Sequence, residues 1–403
     1  MPTICVDVEL HPGQDRLLRE ARRFNVGSMG RRWGKSVLAE LLMTETAGER
    51  GGRVGYFAPT YKLLAETWRD LDADLGPVLT ERSLTERRMK MLTGGVIEMW
   101  TLEDADAGRS RRYNRVIVDE AGLVAHLGDT WERAIRPTLA DLEGDAWFLG
   151  TPKGRNFFYQ AWQRGQDHVV YPDWRSWQMP TSANPWIKPA EIEAMRQSMT
   201  ECSFRQEILA EFLEDGGGVF RFVREAATSA PLTKGEAWHQ YAIGCDWGRE
   251  NDATVYAVVD IGERRMVALD RMLVTDYALQ RTRLHALASA FGNPAILAEA
   301  NSIGGPVIEQ LHREGLNVSP FTTTTATKAQ IVDALALAFE RRELRVLPDP
   351  VLIGELEAFE SERLPSGILR YGAPEGQHDD TVIATALANY CAVSRVEVAV
   401  RGR

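Results

Sequence analysis

With 403 residues the chain is too long for most single hydrophobic cores, so two domains are expected, or three. Hydrophobic residues at 44 % and charged residues at 26 % lie near globular averages, no apolar run is long enough to span a bilayer, and the start Met1-Pro2-Thr3-Ile4-Cys5 lacks the features of a signal peptide. A net charge of −10 excludes a surface coated with nucleic acid but leaves room for a local basic track. Two clusters are candidates for it, Arg87/Arg88/Lys90 and Arg109/Arg111/Arg112/Arg115, each equally readable as a solvated face. The cysteines Cys5, Cys202, Cys245 and Cys391 are scattered without a histidine cluster, so they read as reduced thiols rather than a zinc site.

The first half alternates short β-rich runs with helical patterns, the grammar of a parallel sheet with crossover helices. A helix from Ser36 to about Thr46 follows the glycine-bearing run Gly30-Arg31-Arg32-Trp33-Gly34-Lys35-Ser36. Then come a strand Val54–Ala58, a helix Tyr61–Leu75, strands Val96–Trp100 and Val116–Val118, a helix Trp131–Leu139 and a strand Ala146–Gly150. Past Gly150 the pattern loosens, and Asn184-Pro185 and Lys188-Pro189 open a helical stretch to about Glu214. Asp215-Gly216-Gly217-Gly218 then predicts a domain boundary, with a linker to Gly235. Strands follow at Tyr241–Asp246, Thr254–Val259 and Met266–Asp270, a meander. Next are a helix Tyr277–Phe291, a strand Ala295–Ala300, a helix opening near Gly304, and helices around Ile331–Arg341 and Thr381–Tyr390. Three antiparallel strands followed by alternating strands and helices is the ribonuclease H order. The expected division is 1–215 for the first domain, with a helical extension from about 180, 216–235 for the linker, 236–395 for the second domain, and 396–403 for a tail that looks loose from Val393.

Chemistry concentrates at the ends of these strands. Gly34-Lys35-Ser36 supplies what a nucleoside triphosphate needs: backbone N–H groups at a helix N-terminus, an ammonium for the β/γ oxygens and a hydroxyl for Mg²⁺. Arg115-Val116-Ile117-Val118-Asp119-Glu120 ends a hydrophobic strand in two acids, Asp119 to hold that Mg²⁺ and Glu120 to polarise the attacking water. Gln14 stands where helicase-like ATPases keep an adenine-reading glutamine, whose amide both donates and accepts. Thr151, in Gly150-Thr151-Pro152, is placed to sense the γ-phosphate, or simply closes a strand. Hydrolysis also needs a cation on the transferred phosphoryl group. Arg31 can act within the chain, and Arg133 or Arg136 can reach a neighbouring subunit's nucleotide; a structural salt bridge is the competing reading for each.

In the second domain Asp246 ends a strand, Glu299 ends a later one, and Asp379-Asp380 opens the last long helix. Carboxylates so placed can converge on two divalent cations about 4 Å apart and cleave a phosphodiester. Singly, each is as readily a turn or cap acid, and Asp379 in particular suits an N-cap.

Taken together these motifs resemble the large subunit of tailed-bacteriophage terminases over nearly the whole chain. The likeness rests on Gly30 to Ser36, Val116 to Ala121, Gly150-Thr151-Pro152-Lys153-Gly154, Phe204-Arg205-Gln206-Glu207 with Glu211-Phe212, and Asp246, Glu299 and His378-Asp379-Asp380. It implies a phosphate-loop ATPase followed by a ribonuclease H-like nuclease, using ATP with Mg²⁺ in the first domain and two Mg²⁺ or Mn²⁺ in the second. It also implies a DNA-packaging motor acting on double-stranded DNA, assembled as a pentamer on a portal ring, with a small-subunit partner, in the host cytoplasm and transiently at the procapsid's portal vertex. Met29 stands where the general phosphate-loop pattern has glycine; terminase-type loops vary there and carry the arginine found here as Arg31. Which arginine completes the ATPase site stays open, with Arg136 of a neighbour preferred, and one of Asp379 and Asp380 need not touch metal. The alternatives are a helicase-like DNA-repair ATPase with a fused nuclease, which normally has two tandem motor domains, and a non-hydrolysing scaffold, which has no use for Lys35, Asp119 and Glu120.

Overall fold

The computed structural model describes residues 9–49, 51–124, 126–213, 218–248, 253–273, 276–301, 304–363, 369–374 and 377–401. Cys5, the Asp215–Gly217 part of the predicted linker and the last two residues lie outside them. The chain divides into two compact units at residue 215.

The first unit is built on an eight-stranded sheet in the order β3-β4-β5-β2-β6-β7-β1-β8. Its strands are β1 (Phe24–Met29), β2 (Arg53–Ala58), β3 (Leu79–Ser83), β4 (Arg88–Met91), β5 (Val96–Thr101), β6 (Arg115–Val118), β7 (Asp145–Gly150) and β8 (Trp174–Met179). From β5 to β8 all neighbours run parallel, and β3 and β4 add an antiparallel edge. Parallel strands covered on both faces read as continuous apolar runs, and β1 and β6 are buried at every position. Along β6 and β7 the side chains alternate between two cores: Ile117, Trp147 and Leu149 face one, and Val116, Val118, Ala146 and Phe148 face the other.

The sequence reading omits β1, β8 and the β3–β4 hairpin. β3 is half-polar, Leu79-Thr80-Glu81-Arg82-Ser83, and carries little strand pattern. β8 is anchored from outside the sheet. Glu20, closing the helix Pro12–Glu20, accepts hydrogen bonds from Trp177 Nε1 and Arg175 Nη2, both at 2.9 Å, and from Arg16 Nε at 2.9 Å. These bonds, Trp177's first, hold the Glu20 carboxyl down at about 2 against an ordinary 4.5. A depressed carboxyl stabilises the fold above its unfolded value and loses that contribution as pH falls. Glu20→Gln is therefore expected to destabilise the protein by about 1 kcal/mol at neutral pH, the scale of half-exposed charge-assisted bonds. The deficit should shrink below about pH 4.5 and vanish near pH 2; thermal melts across that window check it.

In the second unit a five-stranded sheet has the order β11-β10-β9-β12-β13, from β9 (Tyr241–Asp246), β10 (Thr254–Asp260), β11 (Arg265–Met272), β12 (Ala295–Glu299) and β13 (Val318–Phe321). β9, β10 and β11 are antiparallel, as the meander predicts, while β12 runs parallel to β9 and β13, which the sequence reading omits, runs parallel to β12. The helix Asp380–Arg401 lies on this sheet, so close that a Cβ at Gly244 would meet Ala384 O at 2.0 Å and Ala388 N at 2.3 Å. Only glycine permits that approach. A small hairpin, β14 (Glu360–Arg363) with β15 (Leu369–Gly372), completes the strands.

Two expectations need correction. The predicted linker is folded from Phe220 onward, because Phe220, Val223 and Ala226 are apolar and bury themselves in the second unit's core, and Leu232 N and Gly235 N donate to Val267 O and Ala290 O. The predicted tail from Val393 continues the last helix to Arg401, since Arg395 to Arg401 contains neither glycine nor proline to stop it. Among the described residues no helix is long and apolar enough to cross a membrane.

Candidate active sites

Ligands of open α/β sheets bind beyond the carboxyl ends of the strands, and the strand order puts β6, β7 and β1 side by side there. The run after β1 turns into the helix Lys35–Thr44 through Gly34, which has φ of 108°. Gly30 is pressed so closely that a Cβ would sit 2.5 Å from both Ile208 O and Thr181 Oγ1. Lys35, nearly buried, donates to Thr151 Oγ1 at 3.1 Å from the end of β7 and lies 3.6 Å from Glu120 Oε1 beyond the end of β6. Ser36 is exposed at the helix start. Glu120 holds a left-handed backbone, φ 45° and ψ 43°, a strain that non-glycine residues adopt only where the surroundings impose it.

Asp119 accepts from Tyr56 OH at 2.7 Å and from Glu120 N at 2.9 Å. Burial first, and the Glu120 charge second, push its carboxyl up to about 6. The two crowded acids supply the oxygen ligands that suit a hard cation, while the Lys35 ammonium suits phosphate oxygens. The sequence therefore places Lys35, Asp119, Glu120 and Thr151 in one constellation, and the structure brings them together.

Other candidates stand differently. Gln14 is fully buried; its Oε1 accepts from His11 N at 3.0 Å and its Nε2 donates to Gly34 O at 2.9 Å. Both ends of the amide are taken, so here it braces the loop instead of offering an edge to a base. Arg31 Nε donates to Glu207 Oε2 at 2.6 Å. Arg32 is exposed with φ of 62°, and its carbonyl accepts from Asn184 Nδ2 at 2.9 Å. Arg136, bonded to Glu132 Oε2 at 3.0 Å, lines a cavity with Arg23, Phe24 and Asp173. Phe24 begins β1, so this is the sheet's opposite end from the loop, and Arg136 cannot serve its own chain's site. Arg133 is exposed on the same segment.

Several members of the two basic clusters are held by acids. Arg115 is buried between Asp145 and Glu45, Arg109 pairs with Asp106, Arg112 with Asp141, and Arg88 with Glu81.

In the second unit β9 and β12 are neighbours, so Asp246 and Glu299 end adjacent strands. Asp246 is held well above the usual carboxylate range by burial first, then by the charge and hydrogen bond of Glu299, with Asp380 and Asp379 adding to it. Buried Asp380 accepts from Ala253 N at 2.9 Å. The charges of Glu299, Asp380 and Asp379 all act on Asp246, and like charges so placed suit a site for divalent cations. Asp379, the residue before the last helix, accepts from Lys328 Nζ at 2.8 Å through its carboxylate and from Ile383 N at 2.9 Å through its carbonyl. Lys328 and Tyr56 are invisible to motif reasoning: Lys328 is one polar residue in the helix Thr325–Glu340, and Tyr56 reads as one more buried residue of β2.

No family model matches the chain. The terminase large subunit of Thermus virus P23-45 is 28 % identical over 423 aligned positions, covering 94 % of this chain and 86 % of that protein. The terminase large subunit of Escherichia phage T5 is 29 % identical over 201 positions, 49 % of this chain and 46 % of that one. The solved large terminase of a thermophilic bacteriophage aligns over 96 % of this chain and 99 % of its own with a TM-score of 0.57 and 11 % identity, a likeness of fold. Along nearly its whole length the chain is similar in sequence to bacteriophage terminase large subunits, and its fold is similar to that of a solved one.

Proposed function

We propose that the chain is the motor and nuclease of a viral DNA-packaging machine. ATP hydrolysis in the first unit drives double-stranded DNA into a procapsid, and the second unit cuts concatemeric DNA. The reading is carried by the presence, in one chain, of Lys35 beside Thr151 and Glu120 at one sheet edge and of Asp246 with Glu299 at another.

In the first unit Lys35 binds the β/γ oxygens, Gly30, Arg32 and Gly34 shape the loop around them, and Ser36 and Asp119 hold Mg²⁺. Glu120 orients the attacking water, and Thr151, bonded to Lys35 in this structure, registers whether the γ-phosphate has taken that ammonium. The transferred phosphoryl group takes its cation from Arg31 in cis or, as preferred, from Arg136 of a neighbouring subunit. In the second unit Asp246, Glu299 and Asp380 hold two Mg²⁺ or Mn²⁺, with Asp379 either a ligand or a support. When bound, these cations neutralise phosphate charge in the first site and, in the second, activate water and steady the leaving oxygen. Assembly is as a pentamer on a portal ring with a small-subunit partner, in the host cytoplasm and transiently at the portal vertex.

The test is plasmid cleavage with Mg²⁺ or Mn²⁺ beside an ATPase assay on the same preparation. Both activities support the reading; ATPase with no cleavage under either metal makes the second unit a binding module and favours a helicase-like translocase. DNA affinity should be independent of sequence and fall steeply from low to moderate salt, as contacts to phosphates require. A flat salt dependence, measured by filter binding, contradicts a backbone grip.

A further inference from the structure

The segment that enters β9 carries a second group of ligand-type side chains, at the far end of the strand from Asp246. Glu236 and His239 precede Tyr241, and Asp260 pairs with Tyr241 across the β9–β10 ladder, whereas Asp246 closes β9. The length of the strand, about 17 Å for its six residues, separates the two ends. One ligand atom from each of Glu236, His239 and Asp260 lies within 4.8 Å of the other two. His239 Nδ1 is 2.6 Å from Asp260 Oδ2 and 3.9 Å from Glu236 Oε2.

Each of the three is held from behind. Asp260 is fully buried, and its other oxygen, Oδ1, accepts from Gly262 N and Glu263 N at 3.0 Å each, leaving Oδ2 toward His239. Glu236 Oε2 accepts from Arg265 Nη2 at 3.0 Å, and Glu236 N donates to Tyr241 OH at 2.8 Å. The His239 ring stacks beside that of Tyr241, with centroids 6.4 Å apart, and His239 N donates to Glu236 O at 3.4 Å. Outer partners of this kind fix metal ligands in place. Charge favours a divalent cation as well. Arg265 also pairs with Glu263, at 2.6 Å, so three carboxylates stand around one guanidinium. The hydrogen bond of Asp260 first, and then the charges of Asp260, Glu236 and Glu263, raise the His239 imidazole above its ordinary value, so positive charge is welcome at Nδ1.

We propose that Glu236, His239 and Asp260 bind one zinc ion, with water as the fourth ligand, as a clip joining the segment before β9 to the end of β10. One imidazole and two carboxylates are ligands that zinc takes in a tetrahedral array at about 2 Å, whereas Mg²⁺ favours oxygens. The ion replaces the proton between Nδ1 and Oδ2, which leaves to solvent. Tetrahedral ligand atoms stand roughly 3.3 Å apart, so the 2.6 Å contact opens and the 3.9 Å contact closes by similar small amounts. Glu236, exposed at the surface, has the freedom to move. The site takes part in neither ATP hydrolysis nor DNA cleavage; it stabilises the second unit because the ion binds only the folded form.

The test is titration of chelator-stripped, full-length protein with Zn²⁺ by calorimetry, beside His239→Gln and Glu236→Gln. The acids Asp246, Glu299, Asp379 and Asp380 are intact in all three, so zinc taken there is common to them. Wild type is expected to bind one equivalent more than either variant. Co²⁺ in place of zinc reads the same site by colour: the visible absorption of tetrahedral cobalt should appear in wild type and in Asp246→Asn and be absent from His239→Gln. Zinc should also raise the melting temperature of Asp246→Asn and leave that of the Asp246→Asn/His239→Gln double variant unchanged. Equal zinc uptake in wild type and both variants, or an extra equivalent seen only at millimolar zinc, leaves His239 and Asp260 as a hydrogen-bonded ion pair and overturns the proposal. Loss in His239→Gln alone removes Glu236 from the ligand set and overturns the three-residue site. If His239→Gln does not fold, Glu236→Gln, at an exposed residue, decides.

Discussion

Lys35→Ala is expected to abolish ATP turnover while leaving metal-dependent DNA cleavage intact. Lys35 is the cation that Thr151 and Glu120 jointly face, 3.1 Å from the hydroxyl and 3.6 Å from the carboxylate. Bound triphosphate would take it from both. Removing one preorganised donor to developing charge costs a factor of about 10²–10³ in rate, and here the same group also helps to bind the ground state, so kcat/KM should fall further than kcat. Truncation also leaves Asp119 and Glu120 without their nearest cation, and burial already pushes Asp119 up to about 6. A small loss of stability is therefore expected with the loss of activity. The check is an ATPase assay and a plasmid-cleavage assay on the same preparation, with circular dichroism to show the fold intact. Loss of both activities in a folded protein would mean the two sites are not separable.

Most of this site is legible in sequence because it sits where covalent order is enough. Asp119 follows a run of apolar residues, Lys35 opens a helix, and Thr151 follows a strand, so each is found from its own neighbours. Parallel strands then bring the three ends together without further information. What escapes is whatever depends on a second, distant segment. Glu207 meets Arg31 and Lys153 across long stretches of chain, and nothing within a few residues of it announces a loop partner.

Gln14 is held by its own neighbours. Its place in the sequence suits an adenine reader, but His11 ahead of it completes a capping box that uses the same amide, and a local hydrogen bond takes precedence. The folded start of the second unit escapes because three glycines signal a break without saying where it ends. Phe220 and Val223 are the residues that end it, by entering the core. Arg115 shows the limit of counting charge: four arginines in a short stretch suggest a basic face, yet this one is buried and bonded to Asp145 through two nitrogens, at 2.8 Å each.

Asp246→Asn is expected to eliminate cleavage, leave ATP turnover untouched and, without metal, raise the melting temperature. The three outcomes share one cause. Asp246 is buried beside Glu299 with Asp380 and Asp379 adding like charge, and its carboxyl is driven well above the usual range. A carboxylate raised in the folded state costs stability at pH values above its unfolded pKa, so a neutral isostere relieves the fold. The same isostere gives up a ligand oxygen that a divalent cation needs. Cleavage should fall by more than the ten- to hundredfold typical when only an outer partner of a metal ligand is lost. Ligand-linked stabilisation supplies a readout that does not depend on turnover. Adding Mg²⁺ or Mn²⁺ should raise the melting temperature of the wild-type protein and do so less, or not at all, in the variant. A variant that melts lower than wild type without metal, or gains as much from metal, would show that Asp246 is a structural acid. The metal-binding role would then pass to Glu299 and Asp380 alone.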